Sequence, residues 1–365
     1  MPPTSLLGDA ELRRRRQASQ LLDRPRHGSV HDLVRHLGGV QSQVWPAAGL
    51  ALRARGPGLT AKRVDRARLR DRSIVVTWAM RGTLHAIAAE DLPWLVPLVV
   101  RPGIANAHRR LREEGVPEDQ PERAIELIAR TLERGGPLTR DELRERLRAA
   151  GIVTAGQAMA HLTWLASADG GICRGPDRDG TATFVLARDW LRAHPDDPPD
   201  PLRELTVRHL RAHGPATAED LAAWAGISRG TARRGWTSLA DRLVEVPTER
   251  GPQWRLRSSA TREVAAGLVR LLGPFDGYLL GWRDRTLVGS TAVLRRVNRG
   301  GGWLHATILV DGRIVGPWAL ERPGGAVRVA IEPFGRLPAG VPTAIRAEAA
   351  DLQAFLGTPV EVARR

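Results

Sequence analysis

Residues 121–187 read PERAIELIARTLERGGPLTRDELRERLRAAGIVTAGQAMAHLTWLASADGGICRGPDRDGTATFVLA. Apolar residues recur at helical spacing from Pro121 to Arg134, and Gly135-Gly136-Pro137 stops the run. Thr139-Arg140-Asp141-Glu142 has the form of a capping box and opens a second helix that Gly151 ends. Ala155 to Ala168 is a third helix. Two short strands, I-C-R-G and T-A-T-F-V-L-A, flank the turn P-D-R-D-G. Helix, capped helix, helix and hairpin in this order is the winged-helix plan.

The same plan recurs on both sides. Downstream, beyond a Pro- and Asp-rich linker near Pro195 to Pro201, Leu202 to His213 reads as a helix. Thr217-Ala218-Glu219-Asp220 caps a second helix, stopped by Gly226. Ser228 opens a third, which carries Arg229, Arg233 and Arg234, and L-V-E-V-P with Q-W-R-L-R form a hairpin. Upstream, helices are expected over Asp9–Leu22, from Ser29 to His36, from Gln43 to Arg55, and from Thr60 to about Arg70. V-V-T-W-A-M-R-G-T-L-H-A-I then reads as a hairpin turning at Arg81-Gly82. From about Leu271 the texture changes to short apolar runs with glycine turns (G-Y-L-L-G-W, R-T-L-V-G, G-W-L-H-A-T-I-L-V, G-R-I-V-G-P-W-A-L, A-V-R-V-A-I-E), closed by a helix over Ala344 to Phe355. The expected fold is α+β: tandem winged-helix motifs with a C-terminal β-rich domain. The expected divisions are 1–118, 119–198, 199–262 and 263–365.

The chain has 365 residues, 42% of them hydrophobic, and a formal net charge of +15. Such an excess of cations without an apolar span points to a polyanionic partner, nucleic acid before membrane. Nearly all the cations are arginine, with Lys62 the single lysine; coding by a G+C-rich genome accounts for the ratio but not for the excess. Cys173 is the single cysteine, so no internal disulfide or multi-thiolate metal centre can form. No nucleotide-binding glycine loop, H-E-x-x-H or G-x-S-x-G pattern occurs, so neither cofactor nor metal is expected. Without an apolar signal core, the expected location is cytoplasmic, associated with the nucleoid through DNA. His85 and His305 lie between apolar strand residues and read as hydrogen-bonded structural groups.

One short stretch carries chemistry. L-G-G-V-Q-S-Q-V-W-P, residues 37–46, puts Gln41 and Gln43 one residue apart where Gly38-Gly39 breaks a helix. In extended backbone these side chains share a side and can reach one water molecule. Alone, two such glutamines are as readily a solvated surface pair. Nearby, Arg53, Arg55, Lys62, Arg63 and Arg66 form a basic segment suited to phosphate contact. Arg295, Arg296, Asn298 and Arg299 precede Gly300-Gly301-Gly302 and read as the tip of a DNA-probing loop.

G-G-V-Q-S-Q-V-W-P-A-A-G-L-A-L-R, T-W-A-M-R-G-T-L-H-A-I-A-A-E-D, L-L-G-P-F-D-G-Y-L-L-G-W-R-D-R and I-L-V-D-G-R-I-V-G-P-W together resemble the winged-helix DNA glycosylases of the AlkZ type, over residues from about 30 to 320. The resemblance implies a C-shaped, basic concave surface and a Gln-x-Gln catalytic signature, here Gln41 and Gln43. It also implies removal of N7-alkylated purines, including bulky adducts of DNA-alkylating natural products in producer self-resistance. The expected substrate is double-stranded DNA carrying N7-alkylguanine, acted on by a monomer. With Lys62 the one side-chain amine, a Schiff-base strand cleavage is not expected and the enzyme reads as monofunctional. Two other readings use the same motifs: a winged-helix transcriptional regulator, and a protein that sequesters adducted DNA without chemistry.

Overall fold

The structure, a computed structural model, describes residues 6–25, 28–191, 197–259, 262–298, 300 and 302–364. In chain order the N-terminal elements are α1 (Asp9–Ser19), α2 (Val30–Leu37), β1 (Val40–Gln41), α3 (Trp45–Arg53) and α4 (Ala61–Leu69). Next come β2 (Ile74–Trp78), β3 (Leu84–Ala88), α5 (Leu92–Val100), α6 (Ile104–Glu113), α7 (Gln120–Gly135), β4 (Leu138–Thr139), α8 (Arg140–Ala149), α9 (Ala158–Ser167), β5 (Ile172–Arg174), β6 (Thr183–Leu186) and α10 (Ala187–Trp190). They are followed by α11 (Pro201–His213), α12 (Ala218–Ala225), α13 (Arg229–Thr237), β7 (Leu243–Val246) and β8 (Gln253–Leu256). The last stretch holds β9 (Val269–Leu272), α14 (Gly277–Leu280), α15 (Thr291–Val297), β10 (Thr307–Val310), β11 (Arg313–Glu321), β12 (Val327–Ile331), α16 (Val341–Leu356) and β13 (Val360–Arg364). The α+β class is as expected. The chain forms two compact units: one of Met1–Val64, Arg203–Trp224 and Ser228–Arg365, the other of Asp65–Leu202 and Ala225–Ile227.

Local chemistry explains the element boundaries in the second unit. Thr139 and Glu142 form a full capping box at the start of α8. Gly136 takes φ +70° where α7 ends. β4, β6 and β5 form one antiparallel sheet in that order. β2 and β3 pair antiparallel from Ile74↔Ala88 to Trp78↔Leu84, and Arg81 and Gly82 turn the chain at positive φ. A Cβ on Gly226 would lie 2.8 Å from the Arg81 backbone, so this glycine is a close-approach position. Ala124, Ile128, Leu132, Leu143, Leu147, Leu162 and Phe184 meet in one core, with Trp78 stacked on Phe184 at 6.0 Å between centroids.

The first unit contains the five-stranded sheet β13-β12-β11-β10-β9, antiparallel except for the parallel β12–β13 pair. The C-terminal reading needs correction in three places. G-Y-L-L-G-W is not a strand: Asp276 accepts from the Tyr278 N–H at 2.9 Å and caps the short helix α14. R-T-L-V-G makes turns, not a strand. Arg295 and Arg296 sit in the last turn of α15, which Ser290 caps, and not in a loop. In contrast, I-L-V-D-G-R-I-V-G is the β10–β11 hairpin, with Asp311 and Gly312 at positive φ in its tight turn.

The motif L-L-G-P-F-D-G seats α3. A Cβ on Gly273 would meet Leu50 Cβ at 2.9 Å and Ala47 O at 3.1 Å, so only glycine lets the helix approach. Leu271 O accepts from Arg53 at 2.7 Å. Asp276 takes a bidentate bond from Arg55, at 2.8 and 2.7 Å. Arg53 also reaches Asp351 at 2.7 Å and Glu348 at 3.2 Å on α16. Both guanidiniums are 1% exposed. This corrects the expectation that Arg53 and Arg55 contact phosphate: they are interior groups already neutralised by carboxylates. Replacing Arg55 by Met strands the buried Asp276 carboxylate and should lower stability by about 3–5 kcal/mol in urea unfolding, with part recovered in Arg55→Met/Asp276→Asn. A loss below about 1 kcal/mol would show that the pair does not hold α3.

Candidate active site

Gly38 ends α2 in the left-handed conformation, φ +70°, and a Cβ there would come within 3.1 Å of Trp224. Gly39 is also at positive φ, +131°. The two glycines turn the chain out of α2 into the extended segment that β1 begins. Val40 and Ser42 are buried, Gln41 is half-buried and Gln43 is exposed. β1 covers only Val40–Gln41, and the chain bends at Gln43-Val44 before α3 begins. The Ser42 hydroxyl donates to Val40 O at 2.9 Å and closes the buried side. Val44, extended at φ −128° and ψ 119°, and Pro46 then start α3, so the glutamines stand directly before a helix whose far end Arg53 and Arg55 pin into the core.

The remaining predicted residues separate by environment. Lys62, Arg63 and Arg66 are exposed on α4, with Arg66 paired to Asp71 at 3.3 Å. Arg295 and Arg296 are exposed, and the Arg296 guanidinium lies over Phe334 at 3.9 Å. Asn298 is exposed and accepts from the Gly300 N–H at 3.0 Å. Arg299 lies outside the described residues. Trp303, 40% exposed and edge-on to Phe275 at 4.9 Å, joins this surface and was missed from sequence, because ten other tryptophans give it no distinction there.

Burial holds two groups of the usual catalytic kinds uncharged. His85 is 2% exposed and its Nδ1 bonds Thr83 O at 2.9 Å. Burial pushes its imidazole down to about 3, reinforced by Arg81 and opposed by the Thr83 bond. Burial raises the Cys173 thiol to about 12, so it is no nucleophile. Among the described residues no His/Cys/Asp/Glu group could hold a metal ion, and no helix is long and apolar enough to cross a membrane.

The mixed helix and sheet fold carries the Gln-x-Gln segment between β1 and α3. Residues 34–355 match the family model of AlkZ-like DNA glycosylases. The interstrand DNA cross-link repair glycosylase of Streptomyces sahachiroi is 32% identical over 331 residues, covering 84% of this chain and 86% of that protein. The solved structure of the DNA glycosylase AlkZ of Streptomyces sahachiroi superposes with a TM-score of 0.81 at 28% identity, covering 99% of this chain and all of that one. The chain belongs to the AlkZ-like DNA glycosylase family.

The buried imidazoles make stability pH-dependent. His85 and His209 are each held down to about 3 in the fold by burial, against 6.5 when unperturbed. The unfolded chain therefore takes up protons first, and the stability these groups contribute is present above pH 6.5 and lost as pH falls toward 3. At pH 5 each costs about 2 kcal/mol. Thermal melts should move down by several degrees between pH 7.5 and 5.0; an unchanged Tm would mean that both rings are charged in the fold.

Proposed function

We propose that this protein is a monofunctional DNA glycosylase for N7-alkylated purines, with bulky adducts or crosslinks of a DNA-alkylating natural product as its substrates. The observation that supports the reading is the burial of Val40 and Ser42 with Gln41 half-buried and Gln43 exposed, which leaves both amides accessible to water. The relative described as a cross-link repair glycosylase supports the substrate class.

Alkylation at guanine N7 leaves the base cationic and a good leaving group, so the protein need supply little acid catalysis. As the C1′–N9 bond breaks, its electron pair returns to the base, which departs neutral. Positive charge then develops on the sugar, as in other glycosyl hydrolysis. The two amide oxygens accept hydrogen bonds from a water molecule and aim its lone pair at C1′. The C1′–O bond forms, the proton passes to solvent, and an abasic site remains. Amides are too weak as bases to deprotonate water for a stable glycosidic bond, so neutral purines stay untouched. Lys62, Arg63, Arg66, Arg295, Arg296 and Asn298 supply exposed donors for the DNA backbone. The segments 119–198 and 199–262 act as winged-helix modules on duplex DNA, and the protein works as a monomer. A regulator or a sequestering protein would need no water-orienting pair, and the family match favours the glycosylase.

Gln41→Ala and Gln43→Ala should each lower single-turnover release of an N7-alkylguanine by about 100-fold or more, read as alkali-labile abasic sites. Gln43→Asp should retain activity, because a carboxylate also accepts from water. Equal release by wild type and the double alanine variant would remove the glutamines from the mechanism. Incubation with borohydride should trap no covalent protein–DNA adduct; efficient trapping would identify Lys62 or the α-amino group as a nucleophile and end the monofunctional reading.

A further inference from the structure

We infer that the groove between α7 and α8, in the second unit, is a binding site for the phosphodiester backbone of DNA, separate from the glutamine strand. This rests on the reading of the protein as a DNA enzyme. The groove has a volume of about 600 Å³, and Arg130 and Arg134 from α7 and Arg146 from α8 line it over a floor of Leu127, Thr131 and Leu138.

All three arginines are exposed, and none makes an ion pair or side-chain hydrogen bond among the described residues. Several neighbouring arginines are paired instead. Arg123 pairs with Asp119 on α7, Arg144 with Asp141 on α8, and Arg188 takes up Glu133, the carboxylate next to Arg134. Arg130 and Arg134 are four residues apart on one helix, a like-charge spacing that costs a few tenths of a kcal/mol. An anion in the groove reverses that repulsion. Cations on two helices suit successive phosphates along a strand better than one small anion, and guanidinium forks bond phosphate oxygens in pairs.

The third helix of this segment cannot take that role. α9 carries no Lys or Arg, and Ala158, Met159, Leu162, Thr163, Leu165, Ala166 and Ser167 are buried. Its counterpart α13 exposes Arg229, Arg233 and Arg234. In a helix-turn-helix fold the recognition helix is the usual groove reader, but here α9 has no Lys or Arg and the exposed arginines lie on α7 and α8.

The test is the salt dependence of binding to an undamaged, fluorescently labelled duplex. Each phosphate contact contributes about 0.9 to the slope of log affinity against log salt. Arg130→Gln/Arg134→Gln/Arg146→Gln should reduce the slope by about 2–3 and weaken binding at low salt. The triple lysine variant should keep most of the slope, and base release at saturating protein should not change. Gln41→Ala/Gln43→Ala should show the converse, lost release with the wild-type slope, so the two proposals fail separately. An unchanged slope in the glutamine triple variant would overturn the site and leave an acidic protein segment as the occupant to seek.

Discussion

The fixed point of the first unit is the pair of guanidiniums at the end of α3. Arg53 bonds Glu348 and Asp351 on α16 and the Leu271 carbonyl on β9, and Arg55 bonds Asp276 in front of α14. Glu348 is also the partner of Arg24 and Arg270, at 2.8 and 3.3 Å, so one buried carboxylate serves three arginines. Removing charges from water is costly, and only such dense mutual bonding offsets it. The outcome is geometric more than energetic: the helix has one position, and the strand that precedes it inherits that position.

Cations therefore have two distinct uses in this chain. One set is interior and close to carboxylates: Arg16, 5% exposed, bonds Pro215 O and Gln253, has Asp220 at 4.0 Å and lies 4.4 Å from the Trp282 ring, and burial lowers it to about 10. The other set is exposed on α4, α13, α15 and the α7–α8 groove. The +15 formal charge overstates neither set, but only the second can act on a polyanion at a distance.

Local signals made the helical segments legible from sequence. Ser29, Thr139, Thr217 and Ser228 each receive the backbone bond their capping pattern announces. The hairpin at Arg81-Gly82 was equally plain, since its turn needs positive φ twice. What sequence did not convey was tertiary pairing. Arg53 and Arg55 looked like surface cations because their partners lie more than 200 residues away. G-Y-L-L-G-W looked like a strand because four apolar residues have no readable period, and only Asp276 decides for a helix. For the candidate site the motif was visible, but the burial of Val40 and Ser42 beside a half-buried Gln41 and an exposed Gln43 came only with the fold.

The bond from Arg53 to Asp351 spans almost the full length of the polypeptide. During synthesis Arg53 emerges 298 residues before Asp351 and Arg55 221 residues before Asp276, so both guanidiniums are unneutralised when α3 is made. Contacts of such separation form late. A nascent chain thus has no fixed seat for α3, or for the glutamine segment before it, until α16 has been made.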